Sequence, residues 1–368
     1  VIPRLTGGLR MHLTLQEITN DSINNIVSQI MSLFFPKLPG PFLVGDIGGT
    51  NARFSMISPD EDDEQIFPTD KVSDFKNIDE AIEQSILPLA KEKPNSLILA
   101  VAAPVEGKII PLTNSHWFIN AQSLIKRFGF KSVLVINDFE AQAMATTALD
   151  EKYLWKIGDK GTSSYGARVV LGPGTGLGVA GLACANKRYM PVAGEGGHID
   201  FAPRTKRDIE LFPYFLHNEG RVSAEEILSG RGLTSIYRAI CNLDGIKVEF
   251  EKADAITGAA HHADQPQANE AVDLFLTYLA RFAGDFALIF KAHGGVYIGG
   301  GIIPKIMAFI NEDSFRAQFE DKAPHRKLLE TIPIYVMTHP RAALEGMAAF
   351  TRNGEHFLLD YQDRLWTG

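Results

Sequence analysis

One local pattern occurs twice in this chain: an apolar strand, a glycine-rich turn, then a returning strand. The first copy is Leu43-Val-Gly-Asp-Ile-Gly-Gly-Thr-Asn-Ala-Arg53 and the second is Leu171-Gly-Pro-Gly-Thr-Gly-Leu-Gly178. Tight glycine turns present consecutive backbone N–H groups, which form a concavity suited to anions. One such turn is an ordinary hairpin. Two in corresponding places suit a polyphosphate held from both sides. The glycines join two strands instead of opening a helix, so this is not a dinucleotide-binding fingerprint. A Gly-Lys-Ser/Thr ending is absent too, so neither turn is a nucleotide-binding P-loop of that kind.

The surrounding pattern predicts an α/β chain in two related halves. In the first, Phe42–Ile47, Ala52–Ile57 and Gln65–Val72 read as strands joined by turns, and Ile78–Leu89 as a helix. A buried strand at Ser96–Ala102, a helix at Ala121–Phe128, a strand at Ser132–Ile136 and a helix at Phe139–Leu149 follow. The second half repeats this with strands at Arg168–Leu171, Val179–Ala185 and Tyr189–Ala193. Helices come next near Asp208–His217, Ala224–Leu228, Leu233–Cys241 and Glu270–Lys291. Strands at Gly294–Ile298 and Ile332–Met337 and a helix at Arg341–Arg352 complete it. The expected division is an extension over 1–41 carrying one amphipathic helix (Ile23 to Phe34), one α/β domain over 42–148 plus 339–368, and a second over 149–338. A length of 368 residues agrees with two domains at roughly 100–200 residues each.

Composition narrows the class. The net charge of −8 argues against a general nucleic-acid binder. Two cysteines, Cys184 and Cys241, cannot build a disulfide framework or a four-cysteine zinc site, and suit a reducing cytoplasm. No apolar run approaches the roughly 18–20 residues of a membrane helix. Sixteen of the 33 glycines lie in four stretches, 45–49, 172–181, 194–197 and 294–301, which places them at one cleft.

Asp46 of the first turn and four further segments carry chemistry. Asp46 ends a buried strand, where an unpaired charge is costly; a bound Mg²⁺, held directly or through water, would answer it. In Val135-Ile-Asn-Asp-Phe-Glu140, Asn137 and Asp138 stand where a buried strand meets a helix, a common place for ligand-binding groups. Asp138 there is either a helix cap or a general base. In Gly194-Glu-Gly-Gly-His-Ile-Asp200, Glu195 and His198 suit paired hydrogen bonds to sugar hydroxyls. Ser223 and Glu226 form a capping box that leaves Glu225 free. After the strand ending at Ile298, Gly299, Gly300 and Gly301 let a flat ligand such as adenosine approach the backbone.

Taken together, VGDIGGTNARF, INDFEA, GPGTGLGVA, EGGHIDFAP and VSAEEILSGRGL resemble the ATP-dependent bacterial glucokinase family of the hexokinase/actin-like superfamily, from about Phe42 to Arg352. The resemblance implies two ribonuclease H-like (actin-like ATPase) domains flanking a substrate cleft. It implies Asp138 as catalytic base and Asn114, Asn137, Asp138, Glu195, His198 and Glu225 as sugar-binding residues. It implies ATP and Mg²⁺ as cofactors, held at Gly45, Asp46, Ile47, Gly48, Gly49, Thr50, Asn51, Gly174, Thr175, Gly176, Gly178, Gly299, Gly300 and Gly301. Glucose and MgATP are the expected partners, with a cytoplasmic homodimer and no nucleic acid or membrane. Gly230-Arg231-Gly232 departs from the familiar Gly-Pro-Gly. A kinase of another hexose, a sugar-sensing regulator and an actin-like filament protein are the competing readings. Zinc-bearing sugar kinases and repressors are disfavoured, because the cysteine-rich segment of their pattern is missing after His198, where the chain has Cys241 alone.

Overall fold

The computed structural model describes residues 38–59, 64–162, 165–216 and 220–368. The expected N-terminal helix, and part of the acidic loop after Pro59, lie outside the described residues. All elements below belong to the unit Pro39–Gly368.

Fifteen strands are described. β1 is Phe42–Ile47, β2 Asn51–Ile57, β3 Glu64–Ile66, β4 Asp70–Lys71, β5 Ser96–Val101, β6 Ile110–Pro111, β7 Phe118–Ile119 and β8 Ser132–Asn137. β9 is Leu154–Lys156, β10 Arg168–Pro173, β11 Leu177–Ala185, β12 Arg188–Gly194, β13 Gly295–Ile298, β14 Ile334–Met337 and β15 Leu365–Thr367. Apart from the small β6–β7 pair, they form two mixed sheets. The first runs β3-β2-β1-β5-β8-β15, with β4 also on β2; the second runs β12-β11-β10-β13-β14-β9. The pairing senses match position by position. β1 pairs antiparallel with β2 and parallel with β5, and β10 does the same with β11 and β13. Beyond them β8 and β14 extend the parallel run, and β15 and β9 close it antiparallel. The twofold echo in the sequence is therefore a repeated sheet topology.

The strands buried on both faces, β5 (SLILAV) and β8 (SVLVIN), are near-continuous apolar runs, as parallel strands covered by helices require. Each sheet has its own apolar core, the first around Leu43, Phe54, Ile78 and Trp117, the second around Leu171, Phe215, Phe275 and Phe319. In the second, Asp208 is buried but fully answered: Arg281 Nη1 donates to it at 2.7 Å, Tyr278 Oη at 3.2 Å, and the N–H groups of Arg204 and Thr205 at 2.9 Å each.

The differences from expectation have local causes. The strand expected at Gln65–Val72 breaks into β3 and β4 because Pro68 cannot donate to a ladder. The segment expected to be one helix at Ile78–Leu89 begins as an α-helix at Ile78–Ala81 and continues as a π-helix over Ile82–Ile86. The helix expected to reach Leu149 spans Asp138–Ala145. It ends where the hydroxyls of Thr146 and Thr147 turn back onto the carbonyls of Ala143 and Met144, at 2.6 and 2.8 Å. Strands β9 and β15, three residues each and half-exposed, have too short a period to be seen in the sequence. The helices Ala253–Ala259, Glu312–Glu320 and Arg326–Glu330 were also not expected. Among the described residues no helix is long and apolar enough to cross a membrane.

Two helices cross closely beside the site. Ala342–Arg352 packs on Asp138–Ala145, and at Gly346 a methyl group would strike the Ala141 carbonyl oxygen. Because the obstacle is backbone, it cannot rotate away. Gly346→Ala should therefore lose about 1–3 kcal/mol of stability, the usual cost of overpacking. Gly354→Ala, which meets nothing within 4 Å, should stay near the parent. Thermal unfolding of both variants checks this, and equal melting temperatures would contradict the crossing.

Candidate active site

Three glycine turns and one strand end converge. In the β1–β2 turn, the Gly48 N–H closes on the Asn51 carbonyl at 3.0 Å. Among the described residues the N–H groups of Gly49 and Thr50 have no partner in the protein. In the β10–β11 turn, the Gly174 N–H bonds the Gly176 carbonyl at 2.8 Å, leaving those of Thr175 and Gly176 open in the same sense. After β13, the Gly299 N–H is taken by Leu171 and the Ile302 N–H by Pro173, with Gly300 and Gly301 open between them. These are the anion-accepting concavities that the glycine spacing anticipates. Gly45 and Ile47, by contrast, lie in the β1 ladder, buried against Phe54 and Leu99 or within the core. They support the turn from below.

Asp46 has a local partner. Across the β1–β2 hairpin its partner is Arg53, whose Nη1 reaches Asp46 Oδ2 at 3.2 Å. Burial nonetheless pushes the Asp46 carboxyl above its ordinary range, with Arg53 opposing. Asp138 follows the same logic further. Burial first, and then the negative charge of Asp46, push its pKa up to about 7. The two carboxyls, 92 positions apart in the chain, thus act on one another.

The helix cap is Asn137, not Asp138. The Asn137 side chain accepts the Phe139 N–H at 2.9 Å, and Glu140 accepts the Asn137 N–H at 3.0 Å, a reciprocal capping box. Asp138 is the first residue inside the helix, where its carboxylate accepts the Phe139 N–H at 3.0 Å. It is therefore available for chemistry.

Phe139 joins this strand end to the second sheet. A methyl group on Gly178 would overlap the Phe139 ring, and one on Gly172 would meet it at 2.9 Å. The absence of side chains at both positions is what lets the Asp138 helix lie on β10 and β11. One helical turn along, Gln142 lies against Gly299. The first sheet's carboxylate and the second and third glycine turns are thereby fixed to one helix.

The remaining candidates border these turns. Asn114, at a φ of 58° that Asn tolerates better than most residues, lies directly against Gly49. With Thr50, Ser115 and His116 it lines a cavity of about 250 Å³. Glu195 and His198 follow β12, and Gly197 between them touches the Leu177 backbone. Their Oε2 and Nε2 atoms are 3.8 Å apart, beyond a hydrogen bond, and the side chains are 73% and 52% exposed. Glu225 is not free, as the capping box alone suggested. Its Oε2 accepts the Leu177 N–H at 3.1 Å and its Oε1 accepts from Arg231 Nη2 at 2.6 Å. Sequence reasoning missed Arg53, Phe139, Glu140 and Arg231 as site-building residues. Arg53 had a signal, since a seven-residue hairpin separation sets it opposite Asp46. Glu140 had one too, three residues after an Asn before a helix.

The raised pKa of Asp138 has a consequence for folding. In the unfolded chain this carboxyl ionises near 3.8, and in the folded protein near 7. Between those values the folded state binds the extra proton, so this group subtracts stability as pH rises from about 4 to 7. Asp138→Asn should therefore melt higher than the parent at pH 8, with the advantage fading by pH 5. A difference in melting temperature that is constant over this range would contradict the assignment.

Comparison with known proteins places this geometry. The family model for glucokinase matches residues 43–354. A glucokinase of Rhizobium johnstonii is 49% identical over 329 residues, 89% of this chain and 96% of that protein. Among solved structures, a glucokinase from an Antarctic psychrotroph is 31% identical with a TM-score of 0.77, covering 85% of this chain and 98% of that one. A glucokinase of Balamuthia mandrillaris in complex with glucose shares the fold, with a TM-score of 0.72 at 22% identity over 89% of this chain and 99% of that one. With its matched segment holding every turn described above, this chain belongs to the glucokinase family.

Proposed function

We propose that this protein transfers the γ-phosphoryl group of ATP to the 6-hydroxyl of glucose, giving glucose 6-phosphate and ADP. The observation that carries the reading is Asp138: a carboxylate at a strand end, set near neutrality, fixed by its own helix to two phosphate-type turns. Its carboxylate accepts the proton of O6 as that oxygen attacks phosphorus in line. A base near the working pH serves best, and such a group typically contributes about 10²–10⁴-fold. The rest is positioning and charge neutralisation. Open N–H groups of the β1–β2 and β10–β11 turns take phosphate oxygens, and Gly299–Gly301 leave room for the adenosine.

Mg²⁺ fits this donor set. Asp46 and Asp138 press on one another electrostatically, and among the described residues no group of three His, Cys, Asp or Glu converges. Asp46, together with phosphate oxygens and water, would hold the ion, which supplies neutralisation of phosphate charge. On the sugar side, Asn114, Asn137, Glu195, His198 and Glu225 supply hydrogen bonds to hydroxyl groups. The repeated sheets support two actin-like halves, 42–148 with 339–368 and 149–338, that close on the sugar and limit transfer to water.

A coupled assay of ATP consumption with and without glucose tests the reading, and a panel of hexoses sets its strictness. ATP turnover indifferent to glucose would overturn it. Asp138→Asn should lower kcat by about 10²–10⁴-fold with glucose still bound. In the parent, kcat/KM for glucose should fall as pH drops below about 7, because the protonated carboxyl cannot accept a proton. Glu195→Gln should raise the glucose KM by about 10–100-fold, the scale of one charge-assisted hydrogen bond, with the ATP KM nearly unchanged. Parallel rises in both constants would remove Glu195 from the sugar site.

A further inference from the structure

Beneath the catalytic turn lies an ion pair that the mechanism above does not use. Glu140 is 1% exposed, and its carboxylate accepts from Arg364 Nη1 at 3.0 and 3.2 Å. The same carboxylate accepts the Asn137 N–H at 3.0 Å. Arg364 comes from the segment just before β15, and its own carbonyl accepts the Val135 N–H at 3.0 Å. One residue, 224 positions from Glu140, therefore grips β8 with its backbone and the following helix with its side chain. Between those two grips stand Asn137 and Asp138.

We propose that Arg364 is a positioning residue for phosphoryl transfer: acting through Glu140, it fixes the turn that carries Asn137 and Asp138. The inference rests on Asp138 being the base. A buried carboxylate is tolerated when paired and strongly unfavourable when its partner is removed. Without Arg364, the Glu140 carboxylate is drawn toward water, and that movement breaks its bond to the Asn137 N–H. The next residue is Asp138, and misplacement by about 1 Å can cost on the order of 10²-fold in rate. The nucleotide is held by backbone groups of the β1–β2 and β10–β11 turns and of Gly299–Gly301, to none of which the Arg364–Glu140 pair bonds, so binding of nucleotide should be spared.

The test uses the full chain, with glucose-dependent turnover by the parent as the control. If the parent lacks that turnover, the functional reading fails, independently of this one. Arg364→Met should lower kcat by about tenfold or more at temperatures well below its melting point, with the ATP KM within about twofold of the parent. Arg364→Lys should recover most of that loss, because a single nitrogen of Arg364 serves both oxygens of Glu140. The pair Glu140→Gln with Arg364→Met should recover it too, since the amide oxygen still accepts the Asn137 N–H and no charge is buried. If Arg364→Met does not fold, Arg364→Gln, which keeps a neutral donor, takes its place under the same criteria. A variant that melts lower but keeps parental kcat would overturn the proposal, leaving Arg364 a purely structural role. So would a loss of kcat that neither the lysine nor the double variant restores.

Discussion

The contact on which the site depends is an aromatic ring seated where two side chains are missing. Phe139 occupies the space above Gly172 and Gly178. It is the residue directly after Asp138, so its seating decides how far the strand end of the first sheet stands from the glycine turn of the second. A side chain at Gly178 would lift the ring, and with it the carboxylate. Packing is not separable from chemistry here: interiors are dense enough that a displacement of one methyl group is felt.

Electrostatics then acts within that frame. Asp46 and Asp138 are delivered by different strands, β1 and β8, with β5 between them in the sheet. Their shared burial makes full ionisation of both unfavourable in the absence of cations, and Arg53 relieves only the first. The protein thus carries a stored disadvantage at its centre, offset by large apolar cores on either sheet. Such a trade is common where a carboxyl must work near neutral pH.

Much of this was legible in the sequence. The strand–turn–strand repeat foretold two sheets with the same order, and the apolar runs of β5 and β8 announced parallel strands. The glycine turns, Asp138 and the Asn137 position could be located from spacing alone. What could not be read is the pairing between distant residues. Glu225 looked free because Ser223 and Glu226 satisfied each other; its partners, Leu177 and Arg231, are set by how the Gly230–Asp244 helix meets the β10–β11 turn. Arg364 carried no signal, since a lone arginine in a polar stretch has no periodicity. β9 and β15 escaped for a related reason: three-residue edge strands are defined by the neighbour they join.

Those two edge strands reverse the order of the chain. β9 closes the second sheet before any of its other strands is made, whereas β15 closes the first sheet more than two hundred residues after β8. During synthesis the first sheet therefore stands with an open edge at β8, the strand that leads into Asn137 and Asp138. Closing a loop of that length adds little entropic cost beyond that of a shorter one, but it must wait for the segment to exist. The turn that carries Asn137 and Asp138 is completed by a strand made after every strand of the second sheet, so a growing chain is held short of that finished turn until both sheets are in place.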